Sequence, residues 1–263
     1  KVAGAAAPLL VPVVLELGGK NAMIVRADAD LDLVVDGAIF GAFGTAGQRC
    51  TSTSRLVVHP DVATTLVERI VARAEQLTLG DPQDEGTDVG PVIDDASAKR
   101  IEAMVEAARR EGAEVACGGW QVNLEGLGGA FFAPTVLTAV KPEHTIARTE
   151  AFGPVLAVLE VAGLDEAIDV VNSVEYGLSA AIYTSDINAA LHAVDGIDTG
   201  IVYVNAPTIG AEIPLPFGGT KHTGNGFREA GARGIEQFSE VKTVYVDYSG
   251  RLQRAQIDTE REG

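Results

Sequence analysis

The chain has 263 residues, 46% hydrophobic and 22% charged, with a net charge of −17. That size and balance can build one large or two modest cores, and the acidic excess argues against nucleic-acid and anionic-membrane partners. No run of about 18 uncharged apolar residues marks a membrane span, and two cysteines, Cys50 and Cys117, make no disulfide framework and fit a reducing cytoplasm.

Residues 1–8 begin faintly like a secretion signal, but Pro8 and Pro12 break the apolar run and Glu16 follows too soon. The chain opens on Lys1 rather than methionine, so a fragment of a longer protein is expected. Residues 11–17 read as an apolar strand that carries one carboxylate, Glu16, and ends in Gly18-Gly19-Lys20. Residues 31–43 repeat Leu33, Val34, Ala38, Ile39 and Ala42 at helical spacing. A small-residue stretch, 44–54, then carries Cys50, and the β-branched run 55–59 stops at Pro60. Helices are expected over 62–76 and 95–111, joined by a Gly-, Asp- and Pro-rich loop at 79–91. Strands are expected at 115–117, 131–140, 154–161, 180–183 and 201–205, and helices at 165–172 and 187–194. This alternation predicts an α/β fold, a mostly parallel sheet with helices on both faces, and ligands beyond the carboxyl ends of its strands. Glycines punctuate 216–234, residues 243–248 read as a last strand, and the charged tail 252–263 is expected to be mobile.

Two side chains carry candidate chemistry. A thiol in a glycine-containing loop becomes a nucleophile once ionised, although most free cysteines are small buried hydrophobes. Glu16, flanked by Leu15 and Leu17, is costly to bury charged, and burial is how a carboxyl is tuned toward general-base work; a solvent-facing Glu16 on a half-buried strand is the plainer alternative. Cys117 has no helpful neighbour and reads as structural. The four histidines, His59, His144, His192 and His222, lack metal-ligand spacing, so no metal site is expected. The glycines of 224–231 lack the spacing of a dinucleotide loop.

Taken together, Leu15-Glu16-Leu17-Gly18-Gly19-Lys20, Gly47-Gln48-Arg49-Cys50, Glu150-Ala151-Phe152-Gly153-Pro154-Val155, Asn205 and Pro216-Phe217-Gly218-Gly219-Thr220-Lys221 resemble the ordered motifs of the aldehyde dehydrogenase superfamily, including its 34-residue separation of glutamate and cysteine. The resemblance implies an NAD- or NADP-dependent oxidation of an aldehyde to an acid through a thioester on Cys50, with Glu16 activating the hydrolytic water. It implies cofactor contacts from Glu150, to the nicotinamide ribose, and Phe152, with Asn205 and Phe217 near the site's mouth, and a structural role for Lys20. It divides the chain into 1–17, the last strand of a cofactor-binding domain, 18–235, the catalytic domain, and 236–263, an oligomerisation strand and tail, and so implies a homo-oligomer, a dimer or tetramer, with the chain alone inactive toward aldehydes because the family's N-terminal half is absent. Arg49 stands where its charge could favour the thiolate or anchor the carboxylate of a dicarboxylic semialdehyde; it could equally face solvent. Two other readings stand beside this one: a cofactor-free thiol esterase or acyl-transferase using Cys50 and Glu16, and a non-enzymatic oligomerisation protein that kept the fold. A structural protein has no need of both residues.

Overall fold

The computed structural model describes residues 1–250; the tail expectation for 252–263 lies outside the described residues. In chain order the elements are α1 (Val2–Ala6), β1 (Asn21–Val25), α2 (Leu31–Phe43), β2 (Thr53–Val58), α3 (Pro60–Ala74), α4 (Asp95–Arg110), β3 (Glu114–Cys117), β4 (Gln121–Val122), β5 (Phe131–Phe132), β6 (Thr135–Thr138), α5 (Thr145–Arg148), β7 (Val155–Glu160), α6 (Leu164–Asn172), β8 (Tyr176–Gly177), β9 (Ser179–Tyr183), α7 (Ile187–Gly196), β10 (Ile201–Val204), β11 (Thr220–Lys221) and α8 (Gly231–Gln237). Seven strands form the central sheet in the order β10-β9-β1-β2-β7-β6-β3. Every pairing is parallel except β3 with β6.

Parallel strands need helical crossovers, and right-handed crossovers in both directions from the centre cover both faces. The helices α2 and α3 pack together on one side, and α6 and α7 together on the other. Their starts are fixed locally. Asp30 accepts from the Asp32 and Leu33 N–H groups, Asp94 from Ser97, and Asp186 from Asn188, each satisfying donors that a helix leaves open. Strands β1 and β9 are buried along their whole length, as a doubly covered sheet demands.

Two expectations need correction. The first strand to enter the main sheet is β1, third in its order, which follows Gly18-Gly19; residues 11–17 form no strand. Their backbone is held instead by one bridge, Glu16 with Gly224, by the Leu17 N–H donating to the Thr223 carbonyl at 2.7 Å, and by the Asn225 side chain, which bonds Val13 and Leu15. Residues 243–248 are exposed and pair with no strand among the described residues; their reading as a strand that joins a neighbouring subunit stays with the proposal below. The run 131–140 is split at Pro134, which has no N–H to give: β5 pairs with β4, and β6 enters the main sheet.

Candidate active site

Three loops meet at one end of the sheet: residues 16–20 before β1, 48–52 before β2, and 150–154 before β7. This is the amino end of the parallel strands, opposite to the end expected from the sequence. Ligands gather at carboxyl ends when the strand-to-helix loops bind them. Here the chemistry-bearing residues lie on segments entering the strands, so the site moves to the other edge.

The cysteine loop begins with a left-handed turn. After α2, Thr45 and Ala46 have φ of 54° and 53°, and Gly47 follows at 66°. A non-glycine residue in this region costs roughly 1–2 kcal/mol, and the turn reverses the chain so that Cys50 lies between α2 and β2. Gly47 has a second constraint. A Cβ there would stand 2.2 Å from the Gly153 carbonyl oxygen, so two of the three loops touch only because this residue has no side chain. The Gln48 side chain accepts from the Ile93 N–H at 2.9 Å and donates to the Pro91 carbonyl at 3.3 Å. The Thr208 hydroxyl donates to Thr51 O at 2.7 Å. Cys50 is half-buried, and burial, Glu150 and Glu16 push its thiol up, against the Thr51 and Cys50 N–H groups that favour the thiolate. Arg49 is exposed and is not among the charges acting on the thiol; its N–H donates to Ser52 Oγ at 3.1 Å.

Glu16 is held by the Gly224 bridge, and its side chain lies over Gly218. A Cβ on Gly218 would meet Glu16 Oε1 at 2.6 Å. Both carboxylate oxygens are closed off from solvent and find no hydrogen-bond partner among the described residues. An ionised carboxylate so placed is costly, and its pKa is raised to about 7, first by burial and then by the Glu229 charge, with Arg228 opposing. Phe217 positions that neighbour through its backbone: its N–H donates to Glu229 O at 2.6 Å, and Glu229 N donates back at 2.8 Å.

The two glycines after Glu16 bring the loops together. The Gly19 N–H donates to Glu150 Oε1 at 3.0 Å. A Cβ on Gly18 would lie 2.1 Å from Glu150 Oε2, and one on Gly19 2.5 Å from Cys50 O. Burial raises the Glu150 carboxyl, while the Gly19 N–H, Lys20 and Arg100 lower it. Phe152 has φ 49° and leaves 38% of its surface exposed, so its ring stands at the rim of a shallow cleft shared with Gly19, Arg49 and Glu150. A carboxylate with one oxygen still open to a hydroxyl, glycines allowing close approach and an exposed aromatic ring fit one end of a nicotinamide nucleotide.

Asn205 sits elsewhere. Its side chain accepts from Thr184 N and donates to Thr184 O, both at 3.0 Å, closing the carboxyl ends of β9 and β10. Lys20 is buried, with burial and the nearby Arg55 lowering its pKa to about 7. Arg55, equally buried, donates to the carbonyls of Lys20, Val170 and Val171, the last two at the negative end of α6. Sequence reasoning passed over Glu229, the anchoring role of Gln48 and the side chain of Asn21; the one available signal for Asn21 was a polar residue opening an otherwise apolar run.

A profile described as "Aldehyde dehydrogenase family" matches residues 1–244. The betaine aldehyde dehydrogenase of Rhizobium etli (strain CIAT 652) is 42% identical over 246 residues, covering 94% of this chain and 50% of the relative. Among solved structures, an NAD-dependent aldehyde dehydrogenase from Sinorhizobium meliloti superposes with a TM-score of 0.89 at 38% identity, over 97% of this chain and 50% of that one. Glyceraldehyde-3-phosphate dehydrogenase from Methanocaldococcus jannaschii, complexed with NADP, gives 0.81 at 38% identity over 88% of this chain and 49% of that one. The chain thus spans about half the length of the curated relatives it matches.

Proposed function

This chain belongs to the aldehyde dehydrogenase family, and from that premise we propose that the complete protein oxidises an aldehyde to a carboxylic acid with NAD or NADP. The observation that carries this reading is a half-buried thiol, Cys50, acted on by the charge of a carboxylate, Glu16, that has no hydrogen-bond partner among the described residues and a pKa raised to about 7. Cys50 gives up its proton to solvent, and its Sγ, as the thiolate, bonds to the aldehyde carbon. The Cys50 N–H donates to the resulting oxyanion. Bound nicotinamide dinucleotide would supply the hydride acceptor, with Glu150 holding its ribose and Phe152 its ring. Loss of hydride leaves a thioester on Cys50; Glu16 then takes a proton from water, the hydroxide adds to the acyl carbon, and the acid departs with the C–S bond broken and the thiol restored. A cofactor-free hydrolase has no use for Glu150 and Phe152 at the rim, which disfavours that alternative.

Betaine aldehyde, named by the relatives, heads the substrate panel; a dicarboxylic semialdehyde, for which Arg49 on the cleft supplies a cation, comes second. Nucleotide reduction by the complete protein with each aldehyde and with NAD and NADP tests the reading, and no turnover on any aldehyde sinks it. Glu150→Gln removes a charge-assisted acceptor worth about 1.5–3 kcal/mol, so hydride transfer should fall by roughly tenfold or more. Unchanged transfer in that variant shows that the ribose contact is not made.

The domain division at 17 and 235 belongs to the same proposal, as does assembly into a homo-oligomer. Leu9, Leu10, Val241, Val244, Tyr245 and Tyr248 are exposed large apolar side chains on segments that form no ladder. Such segments favour pairing with another chain. Sedimentation of the complete protein should show a dimer or tetramer, and a monomer removes the argument. No helix among the described residues is long and apolar enough to cross a membrane. Two free cysteines support a cytoplasmic location.

A further inference from the structure

Asn21, only 2% exposed, spends its whole side chain on three backbone partners. Its Nδ2 donates to Cys50 O at 2.8 Å and to Ser52 O at 2.9 Å, and its Oδ1 accepts from Ser179 N at 3.1 Å. The register of β1 against β2 slips at this residue: Asn21 lies opposite Thr53 and Ala22 opposite Arg55, leaving Ser54 as the extra residue. Ser54 Oγ bonds back to Asn21 O at 3.1 Å. A bulge beside a site re-aims the chain next to it. The carboxamide takes up carbonyls of the incoming loop, ahead of the β1–β2 ladder. Gly19 completes the enclosure, since a Cβ there would meet both Cys50 O and the Asn21 amide.

We propose that Asn21 is the positioning residue of the nucleophile: by pinning Cys50 O it fixes the Cys50–Thr51 peptide plane, so that the Thr51 N–H faces the thiol sulfur. A trans peptide is planar with its C=O and N–H antiparallel, so holding the oxygen on one side dictates where the hydrogen points on the other. The Thr51 N–H is one of two backbone donors that favour the thiolate, set against Glu150 from the loop before β7 and Glu16 from the loop before β1. Asn21 lies five residues after Glu16 on the same segment. The bonds that orient Cys50 therefore also set where the base stands relative to it. The two carbonyls facing Nδ2 require a donor, which an aspartate of the same shape lacks.

The inference rests on Cys50 as the nucleophile, and its test is independent of aldehyde turnover. Alkylation of Cys50 by iodoacetamide is followed against pH in the complete protein and in Asn21→Ala and Asn21→Asp. Both variants should shift the midpoint upward by about half a pH unit or more. Both should also lower kcat by roughly tenfold while the KM for nucleotide stays within about twofold. Folded variants with the wild-type alkylation profile overturn the proposal. Asn21→Asp, being isosteric, is the milder change; failure of both variants to fold assigns Asn21 to the fold alone and also overturns it. Absence of aldehyde oxidation in the unmutated protein counts against the function proposed above, while the alkylation profile still decides the role of Asn21.

Discussion

Cys50→Ala should lower aldehyde oxidation by the complete protein by about four orders of magnitude or more, with any ester hydrolysis lost in parallel. Removing a nucleophile eliminates the covalent path itself, whereas removing a binding contact only weakens it. The site offers no substitute. Cys117, the other cysteine, is buried against Pro134 O at 3.7 Å, in the strand β3 on the far side of the sheet from β1. Nucleotide binding should survive, because Cys50 contributes no bond that holds Glu150 or Phe152 through its side chain. Stopped-flow nucleotide reduction checks the first part and nucleotide titration the second. Activity within about tenfold of wild type ends the covalent mechanism.

Glu16→Gln carries the next largest effect. The thioester should still form, so a burst of reduced nucleotide precedes a steady rate slowed by roughly 10²–10⁴-fold. In the unmutated protein the steady rate should rise with pH through about 7, as the carboxyl loses its proton and becomes able to act as a base. That rise should disappear in the variant. Loss of the burst, with Cys50 still open to alkylation, instead places Glu16 in activating the thiol. The same shift sets a stability trade. The folded pKa of about 7 lies above the ordinary carboxyl value of 4.5, so between these pH values the folded state holds the proton more tightly than the unfolded one. Its stabilising contribution is full below 4.5 and is lost as pH rises through about 7. Glutamine has no proton to lose there. Thermal denaturation should therefore find Glu16→Gln more stable than wild type at pH 8, with the gap closing toward pH 4. An equal gap at both pH values removes the buried-carboxylate account.

Much of this was legible from residues in order. Apolar spacing identified α2, α3 and α4; in α3 and α4 it marks one buried stripe at helical period, whereas α2 is buried over most of its surface, with Asp32, Leu33, Asp36 and Phe40 exposed. The short motifs picked out Cys50, Glu16, Glu150 and Phe152, since each couples a chemically distinctive side chain to glycines or proline at fixed offsets. Strand β1 is hard to read from sequence because Asn21-Ala22-Met23-Ile24-Val25 is short, opens on a polar residue and directly follows Gly18-Gly19-Lys20. The reading of 11–17 as a strand fails because a strand is defined by its neighbour's hydrogen bonds, and sequence pattern does not supply the neighbour.

The sequence by itself determined the α/β class, the family, and the identity of the nucleophile and base candidates, because these depend on side-chain type and local spacing. Only the tertiary structure decided that the site lies at the amino ends of the strands, since that depends on which connecting loops converge. It also decided that Glu16, near Glu229, has no hydrogen-bond partner among the described residues, that Arg49 is exposed, and that Asn21 grips the peptide carrying Cys50. Each of these is a relation between residues far apart in the chain, such as the 213 positions from Glu16 to Glu229. Burial and hydrogen bonding act through distance in space, and that distance exists only once the sheet has closed.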